Sequence, residues 1–165
     1  MIDPITIATV AGSLVQVCGK VSGYIITYVN KTRTIDSNVE GLSQEIGSLS
    51  QVLVAMQDSF ESNAINIATL EAGTGHEAAH WKNVRQSLHN CRKTLESLLE
   101  VWEKVNKVDS RIPGMPRPKK VVYMIMSEEQ ITIYKGQIGA FRQTISLSLQ
   151  LLTVYETCWN YLTRG

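Results

Sequence analysis

The sequence predicts an all-α protein, an antiparallel bundle of four long helices that forms one domain over residues 1–165. Three observations support this prediction. Apolar residues recur at alternating spacings of three and four along long segments, which indicates helices with one apolar face. No segment shows the strict alternation of a half-buried strand. Helices of about 25 to 35 residues must bury their apolar faces, and a bundle does this with few elements.

The first predicted helix opens the chain, in the stretch MIDPITIATV. Asp3 can cap it, Pro4 suits its first turn, and the helix continues to about Asn30. Its residues are apolar almost all round, whereas the other three helices have polar residues outside one apolar face. We therefore expect the N-terminal helix to be largely buried and to be the most enclosed of the four.

The second helix begins near Asp36 and has an apolar stripe with spacings that alternate between three and four. Because those spacings place residues on one side of a helix, we expect the whole stripe to face the core. The stripe consists of Val39, Leu42, Ile46, Leu49, Leu53, Met56 and Phe60.

The third helix follows a polar stretch that contains Gly73 and Gly75, and it is predicted from about Glu77 to Lys107. Its apolar spacing again alternates between three and four, so the helix is expected to present one face to the core. That stripe consists of Trp81, Val84, Leu88, Cys91, Leu95, Leu98, Trp102 and Val105.

The stretch DSRIPGMPRPKK excludes helix through its three prolines and its glycine, and it predicts a loop. The run KKVVYMIM at its end favours helix over strand. The fourth helix begins either at Lys120 or after a break near Ser127, where Ser127 and Gln130 have the form of a capping box. The break would leave a short fifth helix near residues 119–127. The stripe of the fourth helix consists of Ile131, Tyr134, Ile138, Phe141, Ile145, Leu149, Leu152, Tyr155, Trp159 and Leu162.

Composition and charge exclude several classes of protein. With 44% hydrophobic and 19% charged residues the chain is globular rather than disordered, and a net charge of +1 gives no reason to expect a nucleic-acid partner. The three cysteines, Cys18, Cys91 and Cys158, are far apart, which indicates a reducing intracellular compartment where each packs as a small hydrophobe. Asp3 stands where a signal peptide has basic residues. We therefore expect a cytoplasmic protein.

The stretch HEAAH, residues 76–80, fits the zinc-protease pattern of two histidines and a general base on one helix face. A third ligand is required, and Glu100 follows at a suitable spacing along the chain. In one unbroken helix, however, Glu100 is roughly 30 Å from His80, whereas a zinc ligand lies about 2 Å from the ion. We therefore expect His76 to flank the start of the helix, Glu77 to complement its positive end, and His80 to be solvated.

Other signatures of catalysis are missing from the sequence as well. It contains neither a phosphate-binding glycine loop nor a nucleophile elbow, and its serines, histidines and acids do not converge on one stripe. We therefore predict no catalytic residues, no metal site and no cofactor, and we expect that the protein is not an enzyme.

The first helix is also a candidate membrane segment. Ile5–Val29 carries one formal charge, at Lys20, and is long enough to span a hydrocarbon layer of about 30 Å. Its Ile, Val and Leu residues favour insertion by about 3 to 6 kcal/mol, and Lys20 opposes it by about 2.5 to 3.5 kcal/mol. Gln16 and the Ser and Thr residues add to the opposing side, so that the balance is near zero. We expect a helix that is soluble when packed and membrane-active when released.

Small residues recur in this helix at a spacing of four, as Ala8 with Gly12 and as Gly19 with Gly23. This spacing lets helices approach closely, either in a membrane or in a tight bundle. Equally, the glycines can let aromatic side chains of neighbouring helices pack close. Each glycine inside a helix costs about 1 kcal/mol relative to alanine, so several together call for an explanation.

Four basic residues cluster in the proline-rich loop: Arg111, Arg117, Lys119 and Lys120. Near an anionic membrane each such charge contributes about 1 kcal/mol of attraction, so the cluster is a candidate for lipid headgroup contacts. The alternative, which we favour, is an ordinary solvated loop.

Four stretches resemble the N-terminal domains of fungal STAND-type receptors, and the nearest group is the HeLo-like domains. The opening MIDPITIATVAGSLVQVCGKVSGYI is similar to their pattern of Met, Asp-Pro and an Ala/Gly/Val-rich helix. The resemblance continues in LSQEIGSLSQVL and LHNCRKTLESLLEV. It ends in IGAFRQTISLSLQLL, where such domains have a similar Leu/Ser-rich run, so that it covers nearly the whole chain.

The resemblance implies a helical bundle related to the cell-death domains of fungal incompatibility proteins. In that family an N-terminal helix, often with glycine-zipper spacing, is thought to target membranes after oligomerisation. That role would fall here to Ala8, Gly12, Gly19 and Gly23, although the zipper is interrupted between Gly12 and Gly19. The family often precedes a nucleotide-binding region, a repeat region or an amyloid signalling motif. None of these is present in the sequence, so we expect an excised domain or a short member.

Our leading hypothesis is an intracellular domain of cell-death signalling that self-associates on activation, frees its first helix and coats or permeabilises a membrane, such as the plasma membrane. The alternative is an adaptor domain of a STAND-type receptor that binds proteins through an exposed apolar patch and has no membrane activity. The candidates for that patch are Val52, Leu99, Val121, Val122 and Met124.

Overall fold

The structure is a computed structural model, and it describes residues 4–32, 36–62, 75–107, 122 and 125–164. For residues 75–78, 159 and 163 it describes the backbone alone. The predicted cap at Asp3 and the loop that precedes the fourth helix lie outside the described residues.

Four long helices confirm the predicted all-α fold, and each begins and ends within a few residues of its predicted limits where these were given. Val122 and Ile125 are also helical, and the Met126 amide donates to the Val122 carbonyl at 2.7 Å, so a short fifth helix precedes the last long one. The long helices are α1 (Pro4–Thr32), α2 (Ser37–Ser62), α3 (Gly75–Lys107) and α4 (Glu128–Arg164).

The helices form a four-cornered bundle in which α1 and α4 occupy opposite corners. Each of these two helices packs against both α2 and α3, so the order around the bundle is α1, α2, α4, α3. Successive helices run antiparallel, as predicted. It follows that α1 and α3 point in the same direction, and so do α2 and α4. Both of these pairs are neighbours in the bundle, because α2 lies diagonal to α3 and α1 lies diagonal to α4. Near the starts of α2 and α4, the Asn38 side-chain amide donates to the Glu128 carboxylate at 2.9 Å.

Side-chain caps begin two of the helices, α2 at its predicted start and α4 at the predicted capping box. The Asp36 carboxylate accepts a hydrogen bond from the Asn38 amide at 2.9 Å, which satisfies one of the free donors of the first turn of α2. At the start of α4, the Ser127 hydroxyl accepts from the Gln130 amide at 3.2 Å, and the Gln130 side chain accepts from the Ser127 amide at 2.9 Å. This reciprocal pair is a capping box, and it confirms the predicted fresh start of the helix.

The apolar stripes predicted for α2 and α3 are buried in full. Aromatic side chains close both ends of this core. Phe60 meets Trp81 edge to face with ring centroids 5.4 Å apart, and Tyr28 meets Trp102 in the same manner at 5.5 Å. The first pair joins the end of α2 to the start of α3, and the second joins the last turns of α1 and α3. Such pairs add to the area that they bury.

The stripe predicted for α4 is correct in its first part and wrong at its end. Ile131, Ile138, Ile145 and Leu152 are buried, but Leu162 is about four-fifths exposed. The reason is the length of the helix. The Thr94 hydroxyl of α3 donates to the Gln137 side-chain oxygen of α4 at 3.4 Å. Because the two helices are antiparallel and rise equally per residue, the start of α3 at Gly75 is level with about residue 156 of α4. The last two turns of α4 therefore extend past α3, where none of the described helices offers a core.

Candidate functional site

α1 has one buried and one exposed face, although its composition is apolar nearly all round. Of the described helices it alone is long and apolar enough to cross a membrane, a property that a core helix of a soluble protein also has, and a third of its most apolar window is buried. The prediction of a largely buried helix therefore holds for the inner face. On the outer face Ile5 and Ile26 are each more than half exposed.

The small residues of α1 become more exposed toward the C-terminal end of the helix. Ala8 is buried, and a Cβ added to Gly12 would lie 2.9 Å from the Gln57 side-chain oxygen of α2. Gly19 and Gly23 are exposed, and a Cβ on either would meet nothing within 4 Å. Among the residues that the structure describes, no aromatic ring packs on these three glycines, so that explanation finds no support there.

The polar side chains Gln16 and Lys20 share the exposed side of α1 with these glycines. At 100° per residue, Gly12, Gln16, Gly19, Lys20 and Gly23 fall within about one third of the helix circumference. We call these five residues the small-polar face of α1. It faces solvent in the bundle, apart from the half-buried Gly12. The buried residues of α1 occupy the opposite side of the helix, and the exposed Ile5 shares the arc of the small-polar face near the N-terminus.

Two hydrogen bonds from α3 hold α1 in its corner. Arg92 donates to the Ser13 hydroxyl at 2.6 Å, and the Asn106 side-chain amide donates to the Tyr24 carbonyl at 3.2 Å. The second bond uses the lone pair that a helical carbonyl keeps free, so it does not break the backbone ladder. With the contact of Tyr28, these bonds fix the register of α1 against α3.

Two of the three cysteines lie in the core between α1 and α3. Burial raises the pKa of Cys18 to about 12, and burial with the nearby Cys18 thiol raises the pKa of Cys91 to about 12. Since the thiolate is the reactive form, both are inert in the folded protein. The prediction that each cysteine packs as a small hydrophobe is right for these two. It is wrong for Cys158, which is exposed on α4.

The HEAAH segment lies at the start of α3, which is one unbroken helix from Gly75 to Lys107. Glu100 therefore lies roughly 30 Å from His80 along the helix axis, too far to share a metal ion. Among the residues that the structure describes, no group of three His, Cys, Asp or Glu could hold a metal. His80 is not solvated as expected: its ring packs against Trp81, and its Nε2 is buried with no hydrogen-bond partner among the described residues.

The three described residues of the patch predicted for an adaptor do not form an exposed surface. Val122 is fully buried, and Val52 and Leu99 are half-buried against the core. The sequence did not reveal this because these residues lie beside the core stripes, where neighbouring helices cover them. Val121 and Met124 lie outside the described residues, as do the basic residues Arg111, Arg117, Lys119 and Lys120.

An exposed apolar surface lies instead on α4, on the side opposite its core residues. We call it the outer stripe, and it was missed in the sequence because one apolar face per helix was assumed. The signal was present, since the spacings of the stripe are 4, 3, 4 and 3. All five of its residues are exposed, and Leu162 flanks them. The outer stripe consists of Leu147, Leu151, Val154, Cys158 and Tyr161.

Comparison with models of known protein families, with curated proteins and with solved structures gave no match for this chain. The two surfaces described above, the small-polar face of α1 and the outer stripe of α4, are the candidate functional sites of the described structure.

Proposed function

We propose that this protein is an intracellular signalling domain, of the cell-death type that its resemblance to HeLo-like domains implies, which self-associates and acts on a membrane through α1. The observation that supports the proposal is the position of α1. The most apolar helix of the bundle occupies a corner, is buried on one face, and carries a small-polar face on its exposed side. No catalytic role or cofactor is part of this proposal.

Release of α1 is opposed by its packing against α2 and α3. Each buried Ile, Val or Leu side chain contributes roughly 1.5 to 3 kcal/mol to that packing. A lipid interior accepts the same side chains, but the polar groups of α1 oppose that gain, so the balance between water and membrane is near zero. Self-association of the released helices at a membrane surface therefore has to supply the free energy that is lost with the packing.

The small-polar face gives released α1 helices a surface for contact with one another. Gly19 and Gly23 allow close backbone approach, as small residues do between membrane helices. Lys20 and Gln16 lie on the same side, so contact through this face removes both polar groups from lipid, where they are costly. The opposite, apolar side of α1 then faces the acyl chains.

Leakage of vesicles tests this function directly. Wild-type protein is added at increasing concentration to dye-loaded vesicles of phosphatidylcholine with about one third phosphatidylserine. We expect leakage, and we expect Gly19→Leu and Gly23→Leu each to lower its rate at least tenfold, because leucine blocks close helix approach. Gly47→Leu is the matched control, since Gly47 is an exposed helical glycine on α2 with nothing within 4 Å of an added Cβ. It should leak as wild type does.

Alkylation of Cys91 reports the release itself. Cys91 is buried beneath α1 and inert, so its reaction with a maleimide should accelerate at least tenfold when α1 leaves for the vesicles. Leakage with Cys91 still protected would show that α1 stays packed. Absence of leakage, or equal loss of leakage in Gly19→Leu and Gly47→Leu, would contradict the proposal.

The second candidate is an adaptor of STAND-type signalling without membrane activity. The outer stripe of α4 supports it, because an exposed apolar surface on a soluble domain marks a site of interaction. An adaptor requires no release of α1. It therefore predicts stable association through α4, no vesicle leakage, and Cys91 protected under every condition.

A further inference from the structure

We propose that the outer stripe of α4 binds the outer stripe of a second copy of this chain, so that the two α4 helices pair as a short coiled coil. The inference concerns a different surface from the small-polar face of α1, and it stands whether or not α1 acts on membranes.

Spacing identifies the outer stripe as a seam for another helix. Leu147, Leu151, Val154, Cys158 and Tyr161 alternate at four and three residues, the repeat that keeps one side of a helix facing a partner helix. The residues that continue the repeat toward the N-terminus, Ala140 and Thr144, are small enough to extend the seam. Residues 140–161 thus make three heptads, about 32 Å of helix.

Other exposed large apolar side chains do not form such a row. Ile5 and Ile26 lie at different levels of α1, and Val54 is the one such residue of α2. Ile133 lies on α4 two heptads before Leu147, and the polar Gln137 separates it from the outer stripe. The outer stripe also continues onto the last two turns of α4, which extend beyond α3. A partner helix can therefore approach this end of the stripe without meeting α3.

Charge decides which helix can occupy the seam. Between residues 143 and 163 the sequence has a single charged side chain, Glu156, and it lies on the side of α4 away from the outer stripe. The positions that flank the outer stripe along one edge are uncharged as well: Gln143, Gln150 and Thr157. An acidic or basic partner would gain nothing here.

When two identical helices pair, charged residues that flank the seam face like charges and repel one another. The flanking positions named above carry no charge, so a second copy can bind here without that repulsion. The seam of one copy is as apolar and uncharged as the seam of the other. A two-fold pair through α4 buries the same residues on both sides, as closed dimers do. Because each copy contributes only a few large side chains, we expect association in the micromolar range.

Sedimentation from about 1 to about 300 µM tests the pairing. We expect the wild type to pass from monomer to dimer over this range and Leu151→Glu to weaken dimerisation at least tenfold, because it places two like charges in the seam. Val54→Glu is the matched control, since Val54 is 41% exposed and Leu151 is 40% exposed. It should dimerise as wild type does.

Cys158 supplies a second readout without any substitution. It lies in the outer stripe and is exposed, whereas Cys18 and Cys91 are buried and inert. Its alkylation should slow roughly tenfold when nine tenths of the chains are paired, and it should not slow in Leu151→Glu.

Three results would overturn the proposal: a monomer at 300 µM, equal weakening by Val54→Glu, or dimerisation that leaves Cys158 fully reactive. Vesicle flotation identifies the competing occupant. If the chain stays monomeric and Leu151→Glu lowers vesicle binding while Val54→Glu does not, the outer stripe binds lipid and not a second copy.

Discussion

Tyr28 on α1 and Trp102 on α3 meet edge to face, with ring centroids 5.5 Å apart and ring planes at 62°. Asn106, one turn after Trp102, donates at 3.0 Å to the Trp102 carbonyl and at 3.2 Å to the Tyr24 carbonyl. Trp102 is fully buried, and its indole N–H has no hydrogen-bond partner in the described structure. Aromatic contact and a bridging amide therefore fasten the end of α1 to α3, and the core accepts an unpaired donor there.

Removal of the Tyr28 ring should loosen this fastening. Tyr28→Ala deletes a buried aromatic side chain and leaves a cavity beside Trp102, so we expect the free energy of unfolding to fall by about 3 kcal/mol. Urea denaturation measures the loss. Ile26→Ala is the control, because Ile26 is exposed on the same turn of α1 and should change stability by less than about 0.5 kcal/mol. Equal effects of the two substitutions would place Tyr28 outside the core.

Stability should fall in alkaline solution because of the buried thiols. The pKa of Cys18 and that of Cys91 are about 12 in the folded protein, against 9.0 for an ordinary thiol. Since folding raises these pKa values, their contribution to stability is complete below pH 9 and is lost as the pH rises toward 12. Each thiol then adds up to about 1.4 kcal/mol per pH unit to the decline.

Urea denaturation between pH 8 and pH 11 measures this decline, and the double variant Cys18→Ala with Cys91→Ala isolates the thiols. The variant should show a shallower decline. A residual slope is expected, because burial and the nearby Asp36 carboxylate raise the pKa of Tyr28 as well. Identical slopes in variant and wild type would mean that the thiols reach solvent in the native state.

The exposed glycines of α1 should accept alanine with a gain in stability. Gly19 and Gly23 have open space where a Cβ would lie, so Gly19→Ala and Gly23→Ala should each raise the free energy of unfolding by about 0.5 to 1 kcal/mol. Thermal denaturation measures the gain. Gly12→Ala should gain less, because the added Cβ must displace the Gln57 side chain. A loss of stability in Gly19→Ala would point to a contact of α1 that the bundle does not show.

The capping box at the start of α4 should show coupling between its two members. Ser127→Ala removes the acceptor of the Gln130 amide and should cost about 1 kcal/mol, whereas Gln130→Ala should cost less. In a double-mutant cycle the combined loss should differ from the sum of the single losses by about 0.5 kcal/mol or more. Strict additivity would show that the two hydrogen bonds form independently.

Much of the fold was predictable because helix period and capping are local properties. The stripes from Val39 to Phe60 and from Trp81 to Val105 follow the helix repeat, and each is buried throughout. Ser127 was recognisable as a cap since its partner lies three residues away. The functional surfaces were less predictable, because exposure depends on which helices are neighbours.

The sequence by itself determined that the chain forms long helices, where the second and third of these begin, and that α1 is too apolar to be an ordinary surface helix. Only the tertiary structure decided that α1 and α4 occupy opposite corners, that Gly19 and Gly23 face solvent, and that α4 has a second apolar face with no neighbour among the described helices. The physical reason is that hydrogen bonds and periodicity act within a few residues, whereas burial is set by contacts between helices far apart in the chain.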